Sequence, residues 1–193
     1  VGQADTDFYA QLTKFKAAGV DSIVITDDAP KTAKMLQQMK ELGLNVKVLV
    51  TGGSAWPDSI VQLAGPKAAE GAMFINFYNP YDYAMAGDPD ASKAYVEEWK
   101  KRNLPWIGGV QGMRGFDAVN LVAKGIEAAK EPTAPKIMAA LKTLEMRGLY
   151  GLNKFDQNGQ SYPNIIVSQV KDGKYEVVAM TPSSKLWEMS AAK

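Results

Sequence analysis

Gly148-Leu-Tyr-Gly-Leu-Asn-Lys-Phe-Asp-Gln-Asn-Gly159 is the stretch on which the fold of this 193-residue chain turns. It reads as a strand over 150–155, a Phe155-Asp156 pair, and an Asn158-Gly159 turn, directly after a helix ending near Leu144. Working backward from it, three helical patterns run in succession, at about 91–102, 116–130 and 135–144. No strong strand separates them. Gly108-Gly109-Val110-Gln111-Gly112, between the first two, reads as a flexible loop or connector. Each helix has an apolar face; Phe116, Val119, Val122 and Ile126 make one of them. Such faces need a sheet or other helices against them, and the strand near Tyr150 is weak. The three helices could bundle together, but a sheet outside this pattern explains them better.

Working forward, 165–170 and 175–180 read as a β-rich pair joined by Lys171-Asp172-Gly173-Lys174, and Asp-Gly is a strong hairpin signal. The first half of the chain alternates helices with strands. Phe8, Leu12 and Phe15 fall on one helical face, with Thr6 or Asp5 as cap and Gly19 at the end. Ser22-Ile-Val-Ile25 lies in a short β-branched run over 21–26, a buried parallel strand by pattern. Pro30 suits the first turn of a second helix, with Leu36, Met39 and Leu42 inward and Gly43 beyond its end. A strand over 46–50, a helix after Trp56-Pro57 with Ile60, Val61 and Leu63, and a strand over 73–77 complete the series. The pattern is α/β and doubly wound, Rossmann-like. Tyr78 to Pro89 is rich in turn formers and marks a boundary.

Composition narrows the chemistry. Hydrophobic residues make up 46% and charged residues 22%, both ordinary for a globular chain with a sizeable core. With 22 basic and 21 acidic residues interspersed, nothing points to nucleic acid or an anionic membrane. The absence of Cys and His removes Cys/His zinc sites, thiol nucleophiles and histidine general bases. Carboxylate, Lys or Tyr chemistry stays open, so an enzyme is disfavoured and no cofactor is expected. Zero cysteine fits a reducing cytosol and a periplasm equally. No apolar run approaches a membrane helix, and the first residues lack the regions of a signal peptide: a signal was removed or never existed.

The stretch 148–159, together with Gly115-Phe-Asp-Ala-Val119, resembles the later part of type I periplasmic binding proteins. The nearer likeness is to the branched-chain amino acid (Leu/Ile/Val-binding) branch, the substrate-binding subunits of ABC transporters. Further landmarks are Asp7-Phe8, Ala18-Gly19-Val20-Asp21, Leu42-Gly43-Leu44 and Glu70-Gly71; together, in this order and spacing, they are fairly specific. The resemblance covers nearly the whole chain but only the C-terminal part of such a protein. It implies two lobes, each built from separate stretches: 1–79 plus 164–193 as the second lobe without its first strand and helix, and 80–163 as part of the first. A fold so incomplete should leave apolar faces exposed over 91–144, covered by another chain or by swapped elements. The missing N-terminal part, as a separate or swapped chain, is one such cover, and ligand affinity would be weak or absent without it.

The function implied is capture without chemistry. A small polar ligand (an amino acid, amide or small carboxylate) sits between lobes at the strand C-termini, and hinge closure presents it to a membrane permease. The location implied is periplasmic or extracellular. A ligand-sensing regulatory domain of the same fold is the alternative, and a carboxylate-dependent enzyme using Asp27 or Asp28 comes third.

The candidate ligand-binding residues follow the strands. Thr26, Asp27 and Asp28 come after the first; a carboxylate there would pair with a ligand ammonium, although Asp28 before Pro30 also fits a helix cap. Thr51, Gly52, Gly53 and Ser54 come after the second, where backbone N–H groups and hydroxyls suit a carboxylate or amide, or simply form a turn. Amino-acid binders of the family often carry an acidic residue near Gly52, and its absence leaves room for a bulkier or neutral ligand. Trp56 either stacks on a ligand or packs locally. Tyr78 either touches ligand, serves the hinge or simply packs. Asp117 resembles a family position at a helix start and reads as structural.

Overall fold

The computed structural model describes residues 6–51, 57–104 and 106–191, with side chains from 58 and, in the long sixth helix, from 112. Its elements are α1 (Tyr9–Ala17), β1 (Ser22–Thr26), α2 (Ala29–Glu41), β2 (Lys47–Thr51), α3 (Pro57–Ala64), α4 (Pro66–Ala69) and β3 (Met73–Asn76). A 3-10 turn (Tyr83–Met85) leads to α5 (Pro89–Lys101), α6 (Trp106–Ala129) and α7 (Ala134–Leu141). Then come β4 (Met146–Gly148), β5 (Gly151–Asn153), β6 (Ile165–Lys171), β7 (Lys174–Thr181) and α8 (Ser183–Ala191). The chain forms two compact units, Val1–Asn76 with Val167–Ala179 and Phe77–Ile166 with Met180–Lys193.

In the first unit a five-stranded sheet has the order β1-β2-β3-β6-β7, with β1, β2 and β3 parallel. Adjacent parallel strands are joined by α2 and then by α3 and α4. α2 packs on both α3 and α4, as expected when the right-handed rule for parallel crossovers puts them on one face of the sheet. Strand register shows the consequence directly. Ile25, Val50 and Phe74 form one row across the sheet, and they are 4%, 1% and 0% exposed. Val24, Leu49 and Met73 form the neighbouring row on the other face. There Val24 is 64% exposed and the other two only half-buried. Parallel sheets are ordinarily covered on both faces; among the described residues one face of this unit carries its helix layer and the Val24 face is left open.

The local signals behave as their chemistry dictates, with some corrections. Gly19 and Gly43 end α1 and α2 at positive φ (66° and 61°), and their N–H groups return to the carbonyls of Lys16 and Lys40. Asp172 and Gly173 both take positive φ, 51° and 71°, and close the β6–β7 hairpin. At the start of α1 the N-cap position is Phe8 and not Thr6, while Asp5 lies outside the described residues: Asp7 Oδ1 accepts the Tyr9 N–H, and Gln38 Oε1 accepts the Phe8 N–H. Phe8 and Leu12 are buried as expected, but Phe15 is exposed, at the lip of a groove of about 360 Å³ between α1 and β1. β1 is the sheet edge, and the Phe15 ring is 42% exposed beside it.

The second unit departs further from expectation. The Gly108–Gly112 segment is helix, not loop: α6 is 24 residues long and contains it. Glycine costs about 1 kcal/mol in a helix relative to alanine, and packing explains why it is kept at Gly112. A Cβ there would lie 2.7 Å from both the Tyr95 hydroxyl and the Trp99 ring, so only glycine lets α6 approach α5 this closely. Gly125 does the same for α7, whose Leu141 would sit 2.9 Å from an added Cβ. Tyr78, Tyr95, Val96, Met113 and Leu149 form this unit's buried cluster. The outer face of α6 is bare: Val119 is 71% exposed, and Phe116, Val122 and Ile126 are also open. That is the face expected to lack its sheet.

The chain's end also differs. Residues from Met180 belong with the second unit and not, as the sequence suggests, with the first. The cause is Ser183 and Trp187. Ser183 N–H donates to Asn164 Oδ1 and its hydroxyl to the carbonyls of Tyr162 and Leu152, while Trp187 meets the Tyr162 ring edge-on and the Lys154 ammonium face-on. Helix α8, β4 and the short α4 have no clear sequence signal.

Candidate functional site

The C-terminal ends of β1 and β2 bring the candidate residues of the first unit together. Thr26 and Thr51 are register partners, so their side chains leave the same face of the sheet, and the two hydroxyls are hydrogen-bonded at 2.9 Å. This is the face of Val24, not the helix-covered one, because side chains alternate along a strand. Thr26 is exposed and Thr51 half-buried, so both oxygens keep acceptor capacity toward solvent.

The two carboxylates beyond Thr26 have separate tasks. Asp28 is the N-cap of α2, with extended backbone (φ −72°, ψ 168°), and its side chain accepts the Lys31 N–H at 3.0 Å. The sequence's second reading of Asp28, as a cap, therefore describes what its carboxylate does here; such a cap contributes about 1 kcal/mol to its helix. Asp27 Oδ1 accepts the Asp28 N–H at 2.8 Å and the Lys31 ammonium at 3.3 Å. The Asp27–Lys31 pair is largely enclosed, with side chains 23% and 17% exposed. Asp27 is thus already paired with a cation of its own helix. Sequence reasoning passed over Lys31, although its i, i+4 spacing from Asp27 is the signal that finds it.

Gly52, Gly53, Ser54 and Trp56 lie outside the described residues. Tyr78 belongs to the second unit and is enclosed there, only 2% exposed, with its hydroxyl 2.9 Å from Ser92 Oγ and its ring edge-on to Tyr95. Burial pushes the phenol up to about 12, so it is a neutral packing and hydrogen-bonding group, closed to a ligand.

Asp117 is the other carboxylate with a definite environment. It sits mid-way along α6 and not at a helix start, and it is 1% exposed. Both oxygens accept the Leu149 N–H, at 3.0 and 2.8 Å; Oδ2 also accepts from Tyr150 N at 3.4 Å and Asn153 Nδ2 at 3.3 Å. Burial pushes its carboxyl above the usual range, against the opposing pull of these donors. Its work is to hold the β4–β5 turn on α6.

Among the described residues no cluster of three or more acidic side chains suits a metal, and no helix is long and apolar enough to cross a membrane. The arrangement at Thr26 and Thr51 is one of fixed hydroxyls and a neutralised carboxylate at the end of a parallel sheet.

Comparison with known proteins places the chain in a family. A family model described as periplasmic binding protein matches residues 1–174, so the chain belongs to the periplasmic binding protein family, and within it to the type I, Leu/Ile/Val-binding group. A Leucine-, isoleucine-, valine-, threonine-, and alanine-binding protein of Pseudomonas aeruginosa is 30% identical over 155 residues, covering 80% of this chain and 39% of that protein. A leucine binding protein of Thermotoga maritima superposes with a TM-score of 0.78 at 26% identity, over 94% of this chain and 50% of that one. A branched-chain amino acid ABC transporter protein of Thermus thermophilus, solved with bound valine, gives a TM-score of 0.70 at 20% identity, over 99% and 53%. The chain therefore spans about half the length, or less, of the relatives it matches. These relatives are binding proteins and not enzymes, and their family implies a periplasmic or extracellular location.

Proposed function

We propose that this chain supplies part of an extracytoplasmic solute-binding subunit of an ABC importer, with Thr26, Asp27 and Thr51 on the ligand-facing end of one lobe. The ligand is a small polar molecule (an amino acid, amide or small carboxylate) and no bond is made or broken. The observation that carries this reading is the hydroxyl pair of Thr26 and Thr51, 2.9 Å apart at the C-terminal ends of adjacent parallel strands. Open α/β sheets bind ligands at that end. The relatives' names supply the solute class: leucine, isoleucine, valine, threonine and alanine for one, leucine for another. Asp27 is paired with Lys31, which favours a ligand that engages hydroxyls and backbone over one that depends on a free carboxylate. Replacing Thr26 or Thr51 by valine keeps the shape and removes the hydroxyl. Each change is expected to weaken binding of L-leucine or leucinamide roughly tenfold, in line with a lost hydrogen bond to a buried ligand group. Nuclear magnetic resonance titration reads this, with unchanged circular dichroism as the fold control; equal affinity in both variants would remove these residues from the site.

The partners follow from the same reading: a membrane permease, met through the complete two-lobed protein, and segments that complete the lobes. The Val24 row in the first unit and the Val119 face in the second are apolar surfaces of the kind such segments cover. The relatives' further length, about as long again as this chain, is enough to supply a helix layer for one and a sheet for the other. We assign both faces to that part of the family fold, whether it comes in the same polypeptide, as a separate chain or by exchange between copies. Lobes 1–79 with 164–193 and 80–163 remain the proposed division of the family fold, modified at the chain's end as described above.

A further inference from the structure

At the opposite end of the first unit's sheet from Thr26 and Thr51 lies a cavity of about 560 Å³, a volume ordinary for a small-molecule site. It opens at the N-terminal ends of β1, β2 and β3, roughly 13 Å of strand away from the threonine pair at about 3.3 Å per residue. Its floor is core: Leu36, Met39 and Ala72 are buried and present apolar atoms to it. Its rim is charged, and unevenly so. Lys40 from the last turn of α2, Lys47 at the start of β2 and Lys67 of α4 are exposed around it, and among the described residues none of these ammoniums enters an ion pair.

Two carboxylates also border the cavity, and both are engaged by their own surroundings. Glu70 accepts the N–H groups of Asp172 and Gly173 through its two oxygens, at 3.2 and 3.3 Å. Asp21 Oδ1 accepts the Ser22 hydroxyl at 2.7 Å. These neutral donors fix the two carboxylates in place without cancelling their charge, while among the described residues the three ammoniums have no acceptor, so the rim carries a small positive excess, three ammoniums against two carboxylates, over an apolar floor.

We propose that this cavity is a second binding site, distinct from the one at Thr26 and Thr51, and that it takes a small amphiphilic anion: an acidic head at the lysines and an apolar body on the floor. A ligand there bears on β1 and β2, the strands whose other ends hold the threonines. Occupancy therefore stabilises the lobe by mass action without competing for the cleft.

The test uses the full chain, isotopically labelled, titrated with hexanoate, hexanamide and hexylammonium while amide signals are followed. Hexanoate is expected to give saturable shifts centred on Asn45, Lys47 and Ala72, at least tenfold stronger than either the neutral or the cationic analogue. Lys40→Gln with Lys67→Gln, two exposed positions that leave the fold intact, is expected to weaken that response about tenfold and leave any Thr26 and Thr51 response unchanged. Equal responses to hexanoate and hexanamide would reduce the site to an apolar crevice and overturn the proposal. So would shifts centred on Val24 and Leu49, or none up to about 50 mM. Because the threonine signals are read in the same spectra, failure here is separable from failure of the solute-binding reading.

Discussion

Asp117→Ala is expected to destabilise the second unit by about 3 kcal/mol. The carboxylate is buried and accepts from Leu149 N, Tyr150 N and Asn153 Nδ2. Its loss strands the Leu149 N–H and the Asn153 amide away from water, and each orphaned donor costs on the order of 1–3 kcal/mol. Urea unfolding followed at the Leu149 and Tyr150 amide signals measures the effect within this unit, which avoids treating two units as one transition. The pH dependence carries a sign. Burial raises the folded-state pKa above the ordinary value of 3.8. The folded protein then holds this proton more tightly than the unfolded chain does. The residue's contribution is fullest below about 3.8 and declines as pH rises through the raised folded-state value. The gap between wild type and Asp117→Ala should therefore narrow from acid toward neutrality. A gap that widens instead would mean that the N–H donors outweigh burial.

Gly148→Ala should cost a similar amount, about 3 kcal/mol, for a steric reason. An added Cβ would lie 2.4 Å from both Asp117 Oδ2 and Asn153 Nδ2, distances that no relaxed structure keeps. The turn must move off α6, and the Asp117 hydrogen bonds go with it. The two substitutions strike one contact, so they should not add: the double variant is expected to lose roughly 4 kcal/mol where independent effects would sum to about 6. Full additivity, measured by the same urea titration, would show that the glycine and the carboxylate act separately.

How much of this was legible follows from where each signal resides. The β1 strand, the helix after Asp28 and the hairpin at Asp172-Gly173 rest on local chemistry: β-branched residues, a cap, a turn requiring positive φ. All three stand where the sequence puts them. The Gly108–Gly112 segment misled because its glycines read locally as a loop, while Gly112 is kept for Tyr95 and Trp99 on another helix. Tyr78 carries no mark that its hydroxyl finds Ser92, fourteen residues on. Phe15 and Val24 are apolar by type, and only strand order reveals that one lies beside an edge and the other on an open face. The uncovered face over α6 was readable, because four apolar residues at helical spacing had no strong strand to meet.

At the candidate site, position was readable and charge was not. Thr26 and Thr51 follow the strands that align them. That Asp27 is neutralised by Lys31, and that Asp28 is committed to its helix, needs the fold of the intervening turn.

The most direct test of the solute-binding account is an amide-resolved titration of the full chain with L-leucine, leucinamide and benzoate in turn. The account predicts that at least one of them gives saturable shifts at Thr26, Asp27 and Thr51. The affinity should be weak, with a Kd on the order of 1–100 mM, because these residues lie in one unit and supply only part of the contacts of a closed two-lobed site. Shifts that never saturate, or that leave those three residues unmoved for every compound, would contradict it.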